Sequence, residues 1–220
     1  MNTQMLPRAI DVRPWFKARD GHVLVAIYFA QLELCSIAQF AYSKLGLSDL
    51  RNKINNGIDL HSDLGCAIMK EIEGIDITYN EFISRKKDGD TKVLNYRQQA
   101  KPITLGVFGG QGHKRIQEEI NKNIDSKNHI NEDQAKHFKN IAKNRYREAK
   151  LFFGSGHEDK GYLGSLINGK KVFSELLKRN VDLYAFSVNG RYHNNRSFCA
   201  TANGVTMQCL SSDGAKAAFC

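Results

Sequence analysis

The feature that constrains the fold most is a continuous apolar run, HVLVAIYFA, which extends over residues 22–30. The run is rich in β-branched and aromatic residues and follows a turn-forming Asp-Gly pair, a combination that predicts a buried strand. Apolar residues at helical spacing begin directly afterwards at Leu32 and stop before Gly46. Because the strand passes straight into a helix, we expect a mixed α and β fold.

Most of the remaining chain is predicted to be helical. One helix is preceded by Asp59, and another begins at Tyr96 and runs past Pro102 into a glycine-rich turn. The polar, cation-rich segment 116–153 predicts two basic helices around a loop. The later elements are predicted as a helix marked by Val172, Leu176, Leu177 and Val181, a strand at Tyr184–Val188 and a last helix near Met207.

Charge and cysteine content narrow the function classes. Lysine and arginine number 32 against 23 aspartates and glutamates, and the net charge of +9 favours phosphate-rich partners, with a solvated basic surface as the alternative. The five cysteines are scattered without CxxC spacing, which predicts buried thiols of a reducing compartment. No apolar run approaches the roughly 18 residues of a membrane span, and a signal peptide is not evident. We therefore expect a cytoplasmic protein with no membrane partner.

Three local clusters carry polar groups that suit a binding site. Gln31 and Glu33 follow the predicted strand, where side chains can enter a cleft, although a Glu there also suits a helix terminus. Arg97 and Lys101 stand four residues apart on one helical face, which suits either a phosphate clamp or a solvated basic face. The third cluster consists of Arg191, Arg196, Asn203 and Gln208. These residues can donate hydrogen bonds to phosphates and base edges, or they can form an ordinary polar loop.

Six stretches in collinear order resemble the polymerase domain of family-A DNA polymerases, particularly phage-type members. YFAQLELC at 28–35 is similar to the DYSQ-I/L-EL pattern of motif A, and RQQAKPITLGVFGG at 97–110 resembles motif B, RxxAKxxNFGxxxG. The other four are NTQMLPR at 2–8, DVRPWFKARDGHVLVA at 11–26, IDLHSDLG at 58–65 and QCLSSDGAKAAF at 208–219. The resemblance therefore covers nearly the whole chain.

The resemblance implies an α+β fold in one module of residues 1–220. Residues 42–188 would form mostly helical fingers, and residues 1–41 and 189–220 would form a partial, β-containing palm. Arg97 and Lys101 would face the triphosphate of an incoming nucleotide, with His61 nearby. Glu33 would sit beneath the sugar. The residues implied to touch primer and template are Arg191, Asn203 and Gln208.

Several positions depart from the family pattern. Tyr28 stands where motif A carries its metal-binding Asp, and a phenol is a poor Mg²⁺ ligand beside a carboxylate. Thr104 and Leu105 replace the Asn-Phe pair of motif B. Motif C, with the second metal-binding Asp, is not found before Cys220, so we expect a truncated module without an intact catalytic site. The resemblance thus implies no cofactor for the chain alone, and Mg²⁺ only where a partner chain completes the site.

These features predict a nucleic-acid-binding protein, a non-catalytic remnant of a phage-type family-A polymerase, that binds primer–template or non-specific DNA. One alternative is a subunit of a split DNA polymerase whose partner chain brings the missing motif. The other is a structural or interaction protein that uses the fingers fold as a scaffold. Because a missing hairpin would leave apolar surface uncovered, we expect a homo-oligomer or a complex with a complementing polymerase chain.

Overall fold

A computed structural model describes residues 17–23, 25, 31–154, 161–166, 172–174, 179–181, 184–186, 190, 192–194 and 208–217. The chain divides into two compact units, residues 1–30 and 31–220. In the first unit, Val23 and Val25 belong to the predicted buried strand, yet they form no strand and are 82% and 75% exposed. The strand prediction is therefore wrong at these two positions, and residues 24 and 26–30 lie outside the described ranges.

The second unit is built mainly from helices. Ten α-helices lie within the described residues: α1 Leu32–Leu45, α2 Asp49–Asn55, α3 Leu60–Glu73, α4 Tyr79–Lys87, α5 Thr91–Phe108, α6 His113–Asn121, α7 Glu132–Arg145, α8 Arg147–Phe153, α9 Gly161–Leu166 and α10 Cys209–Ala217. A short 3₁₀ helix lies at Ser126–Asn128. None of the helices described here is long and apolar enough to cross a lipid bilayer.

The predicted α+β class with a β-containing palm is wrong, because the described residues form a helical body without a palm sheet. Four strands of three residues lie between α9 and α10: β1 Val172–Ser174, β2 Arg179–Val181, β3 Tyr184–Phe186 and β4 Tyr192–Asn194. They pair antiparallel as two separate ribbons, β1 with β2 and β3 with β4. Two isolated ribbons of this length do not make the extended sheet that a palm requires.

The first ribbon also corrects the helix predicted from Val172 to Val181. Those two valines are directly paired across β1 and β2. The apolar spacing over this segment fits a helix, but β-branched residues favour strands, and the pairing shows that the second preference prevailed. Spacing alone therefore assigned the wrong element to a short apolar segment.

Aspartate caps begin the two helices that carry the residues predicted to bind a nucleotide. At the start of α3, Asp59 Oδ1 accepts a hydrogen bond from the His61 N–H at 3.2 Å. At the start of α5, Asp90 Oδ1 accepts from the N–H groups of Lys92 and Val93 at 2.9 and 3.2 Å. Such caps satisfy backbone donors that have no partner inside the helix. Local sequence therefore fixes where α3 and α5 begin.

The helix predicted from Tyr96 is confirmed as part of α5, although it begins earlier, at Thr91. Pro102 lies inside α5 and does not end it. A proline lacks the N–H that would bond to the carbonyl four residues before it, so the helix is weakened there but can continue. Arg97 and Lys101 both precede Pro102 in the same helix, and their one-turn spacing is therefore kept.

The contact between α3 and α5 is the most extensive between described elements. Gly65 of α3 permits it, because a Cβ at this position would lie 3.1 Å from the backbone N of Arg97 and 3.2 Å from its Cα. The Phe82 ring lies 3.1 Å from the same point. Fully buried residues surround this crossing on both helices: Leu64, Ile68, Val93, Ala100 and Ile103. The glycine thus lets the backbone of Arg97 lie directly against α3.

Replacing Gly65 with Ala should lower the free energy of unfolding by about 1–3 kcal/mol, because the new methyl group would press on backbone atoms of α5. Gly214→Ala in α10 is the matched control, since a Cβ there would meet nothing within 4 Å. The control should raise the free energy of unfolding by up to about 1 kcal/mol through helix propensity. Urea unfolding measures both changes. A Gly65→Ala protein as stable as the native chain would show that the two helices separate at little cost.

Candidate anion-binding site

The structure brings together the three residues predicted to bind a nucleotide. His61 is the second residue of α3, and Arg97 and Lys101 lie one turn apart on α5, which packs against α3. The positive charges of Arg97 and Lys101 both act on the His61 ring. Together with Asp59 and Lys86, these three residues form a group that we call the Arg97 cluster.

Asp59 connects the members of the cluster through its carboxylate. Oδ2 accepts hydrogen bonds from Ser62 Oγ at 2.7 Å, from Arg97 Nε at 2.8 Å and from Lys86 Nζ at 3.3 Å. Burial by itself raises the pKa of Asp59. The hydrogen bonds from Arg97 and Ser62 and the nearby positive charges outweigh burial and hold that pKa well below its usual range. The carboxylate is therefore ionised at neutral pH and fixes the Arg97 side chain.

Arg97 and Lys101 retain donors that the described part of the protein does not use. Arg97 engages Asp59 and Ser62 through Nε, whereas its two terminal nitrogens make no hydrogen bond to a described residue. Lys101 is half-buried and forms neither a hydrogen bond nor an ion pair within the described ranges. A guanidinium held by one edge presents its remaining N–H groups in a fixed direction. The cluster can therefore donate several hydrogen bonds to a bound anion.

The His61 ring is neutral at physiological pH. Burial lowers its pKa, and the charges of Arg97 and Lys101 lower it further, while Asp59 acts in the opposite direction; the resulting pKa is about 4. Its Nδ1 atom is buried and has no hydrogen-bond partner in the part of the chain that the structure describes. A buried polar atom without a partner costs free energy, and such atoms in native proteins often face a ligand or an ordered water.

The Arg97 cluster carries more positive than negative charge. Lys86, Arg97 and Lys101 are three cations, and Asp59 is the one carboxylate that hydrogen-bonds to members of the group. Excess positive charge in a partly dehydrated site favours the binding of an anion. Because the free donors are N–H groups of Arg and Lys, phosphate oxygens are the acceptors that match them best. The arrangement therefore suits the binding of an anion.

The other predicted site residues do not join this cluster. Glu33 lies in the first turn of α1, without a hydrogen bond or ion pair to a described residue. Gln208 directly precedes α10 and is exposed. Tyr28, Arg191 and Asn203 lie outside the described residues. The roles implied for these five residues therefore stay predictions.

A second carboxylate on α3, Asp63, forms a buried ion-pair network next to the cluster. Asp63 is 4% exposed. Its Oδ1 accepts from Arg145 Nη2 at 2.6 Å, and its Oδ2 accepts from Lys53 Nζ at 2.7 Å and from Arg145 Nε at 3.1 Å. Tyr146, beside Arg145, donates to the Leu60 carbonyl at 2.7 Å. These contacts tie α3 to α2 and α7, and we assign them a structural role.

A cavity of about 610 Å³ lies between α3 and α7. Asp63 and Arg145 form part of its wall, but their charges face one another. His137 and Glu71 line another part, with 3.9 Å between Nε2 and Oε1. None of the residues predicted from sequence to bind a ligand lines this cavity. Its charges are balanced, so it is a weaker candidate for an anion site than the Arg97 cluster.

A metal site is not evident in the described ranges, which contain no group of three or more His, Cys, Asp or Glu side chains suited to hold an ion. Within the cluster, Asp59 Oδ2 already accepts from three donors. The binding of Mg²⁺ in the presence of a partner chain stays a prediction.

Sequence reasoning missed Asp59, Ser62 and Lys86 as members of the site. The spacing of Asp59 and Ser62 at a helix start signals a cap, and that cap also orients Arg97. No local signal links Lys86 to this region, because it lies 27 residues from Asp59 in sequence. Only the packing of α4 beside α3 brings its ammonium group to the carboxylate.

Comparisons with protein-family models and with curated proteins find no match for this chain. The resemblance to family-A polymerases therefore rests on the quoted motifs alone and stays a hypothesis.

Replacing Asp63 with Asn should lower the free energy of unfolding at pH 7 by about 1–3 kcal/mol, because Arg145 and Lys53 lose a charged partner. Burial raises the pKa of Asp63, but the hydrogen bonds and charges of Arg145 and Lys53 lower it overall. The ionised carboxylate therefore stabilises the fold above its unfolded pKa of about 4, and this contribution is lost as pH falls below that value.

Urea unfolding at pH 7 and at about pH 3 tests this expectation, since the difference between the native chain and Asp63→Asn should shrink on acidification. Asp76→Asn is the control, because Asp76 pairs with Lys70 on the surface and its side chain is 86% exposed. This control should change stability little at either pH. An Asp63→Asn effect that is equally large at both pH values would contradict the ionic explanation.

Proposed function

We propose that the protein binds nucleic acid through its phosphates and that the Arg97 cluster is its phosphate subsite. Arg97 and Lys101 supply N–H donors to the phosphate oxygens, and the buried edge of His61 lies beside them. Asp59 holds Arg97 in the orientation that binding needs. Contacts of this kind recognise the backbone rather than the bases, so binding is independent of sequence.

The observation that carries this proposal is the set of unused donors in one partly buried place. Among the described residues, Lys101 has no partner, Arg97 is held by one edge only, and the buried His61 Nδ1 makes no hydrogen bond. A solvated basic face, the alternative interpretation of these two cations, does not account for the buried His61 Nδ1, which has no hydrogen-bond partner among the described residues and whose ring both charges affect. The half-buried position of Arg97 and Lys101 therefore favours a binding site.

A second group of cations supports a polyanionic partner rather than a small anion alone. On α7, Lys136 and Lys143 are seven residues apart and share one side of the helix. Arg147 and Lys150 are exposed and three residues apart on α8. Lys143 Nζ reaches the carbonyl of Gly154 at the end of α8, at 3.4 Å. None of these four residues, which we call the α7–α8 basic face, forms an ion pair with a described residue.

The resemblance to family-A polymerases supports the same assignment, because it implies that Arg97 and Lys101 contact the phosphates of a nucleotide. It also supports a non-catalytic role, since Tyr28 stands at the position of a metal-binding Asp. Two-metal positioning is central to phosphoryl transfer in polymerases, and a phenol does not replace a carboxylate in it. We propose on this basis that the protein binds nucleic acid without extending it.

Replacing Arg97 and Lys101 together with Ala should weaken binding to a primer–template duplex about tenfold or more, since each lost contact is a charge-assisted hydrogen bond. The slope of log K against log salt should flatten by about 2, because two phosphate contacts are removed. Fluorescence anisotropy from about 50 to about 200 mM salt measures both effects.

The charge-matched control for this variant is Arg115→Ala on α6 together with Lys122→Ala at the residue that follows α6. Those two cations pair with Glu118 and Glu119, so their charge is already balanced locally. The control should bind the duplex nearly as well as the native chain. Equal losses in the two double variants would contradict a specific phosphate subsite, and no binding at low salt would favour the scaffold role.

Replacing Lys136, Arg147 and Lys150 with Ala should weaken duplex binding and flatten its salt dependence, because exposed cations release counterions from the nucleic acid. The same variant should bind inorganic pyrophosphate as tightly as the native chain, since the Arg97 cluster is intact. Anisotropy with the duplex and calorimetry with pyrophosphate separate the two surfaces. Unchanged duplex binding would show that the α7–α8 basic face is only solvated.

A further inference from the structure

His61 differs from the other members of the Arg97 cluster because a change in its surroundings can bring its pKa into the physiological range. Lys and Arg side chains remain protonated in this range, and histidine is the side chain whose charge responds to small changes of environment. Asp59 is held ionised by its hydrogen bonds. Any change in the total charge of the cluster between about pH 5 and 8 therefore falls on His61.

The position of the ring explains why it carries no proton at neutral pH. Asp59 faces it from the cap of α3, and Arg97 and Lys101 face it from α5. From α4, Lys86 hydrogen-bonds to Asp59 and lies 3.5 Å from Ser62 Oγ, so it partly neutralises the single carboxylate. Two cations and burial thus oppose protonation, and the attraction of a shared carboxylate does not offset them.

A bound oxyanion would reverse this balance. A doubly charged anion held by Arg97 and Lys101 brings negative charge next to the ring and cancels their repulsion. The ring has room for such a change in charge, because its buried Nδ1 has no hydrogen-bond partner among the described residues. A protonated ring carries a donor on each nitrogen and is attracted by the negative charge of the anion.

We propose that binding of a phosphate-type dianion to the Arg97 cluster is coupled to the uptake of a proton by His61. Binding of an anion that keeps both charges therefore tightens as the solution becomes more acidic, and a singly charged phosphodiester gains less because it cancels less of the repulsion on the ring. This inference rests on the proposed phosphate subsite and adds a pH response to it.

The size of the effect follows from linkage. If the bound anion raises the pKa of His61 from about 4 to about 6, the association constant increases about fourfold between pH 8 and pH 5.5. In that interval the complex takes up most of one proton. Both quantities are within reach of titration calorimetry.

The test uses the native chain and sulfate, which remains a dianion over this whole pH range and so contributes no titration of its own. Calorimetric titrations at pH 8 and pH 5.5, each in two buffers of different ionisation enthalpy, give the affinity and the number of protons taken up. We expect about fourfold tighter binding at pH 5.5, with net proton uptake. Affinity that does not change with pH, and heats that do not depend on the buffer, would overturn the inference and leave the phosphate subsite standing.

Two further outcomes are distinguishable. The absence of sulfate binding at both pH values would overturn the phosphate subsite and the inference together. His61→Gln keeps a polar side chain that does not titrate, and it should bind sulfate with the same affinity at pH 8 and pH 5.5. Circular dichroism checks that this variant is folded. If folded His61→Gln still binds about fourfold more tightly at pH 5.5, another group takes up the proton and the inference fails.

Discussion

The carboxylate of Asp59 is the interaction on which the candidate site depends. It caps α3 through the His61 N–H, and it holds the side chains of Arg97 and Lys86 from two other helices. The same charge thus serves the start of a helix and the orientation of a cation. Because the carboxylate bonds to Nε of Arg97, the guanidinium is fixed at one edge while its other nitrogens remain available. The site is pre-organised by a residue that a ligand need not touch.

A comparison of the two aspartates on one side of α3 explains why one region suits a ligand and the other does not. Asp63 is 4% exposed and is paired with Arg145 and Lys53, so its cations are used within the protein. Asp59 is more accessible, and the charge of Lys101, which has no partner among the described residues, acts on the neighbouring His61 ring. Removing a partner from a buried pair costs much more than from an exposed one, so the Asp63 network suits stability. The surplus positive charge of the Arg97 cluster suits the binding of an anion.

The sequence predicts the local part of this arrangement well and the long-range part poorly. Helix α5 and the one-turn spacing of Arg97 and Lys101 follow from nearby residues, and the structure confirms them. The contact of Arg97 with Asp59 spans 38 residues, so no local pattern contains it. The resemblance to a polymerase motif placed His61 near the two cations, which the structure supports, but it also implied a β-containing palm, which the helical body contradicts. Short apolar segments were the weakest predictions, because at Val172 helical spacing and β-branched preference point to different elements.

The two basic surfaces would contribute differently to a complex with nucleic acid. Lys136, Arg147 and Lys150 of the α7–α8 basic face are exposed, so they would attract phosphates and release counterions without fixing where the strand lies. Arg97 is half-buried and held by a charged hydrogen bond, so it loses little conformational freedom when a phosphate arrives. The exposed α7–α8 basic face would therefore contribute binding affinity that decreases with salt concentration. The Arg97 cluster would determine where a phosphate of the nucleic acid lies. A phosphate at the cluster would also lie near His61, the member of the cluster whose charge can respond to the charge of a ligand.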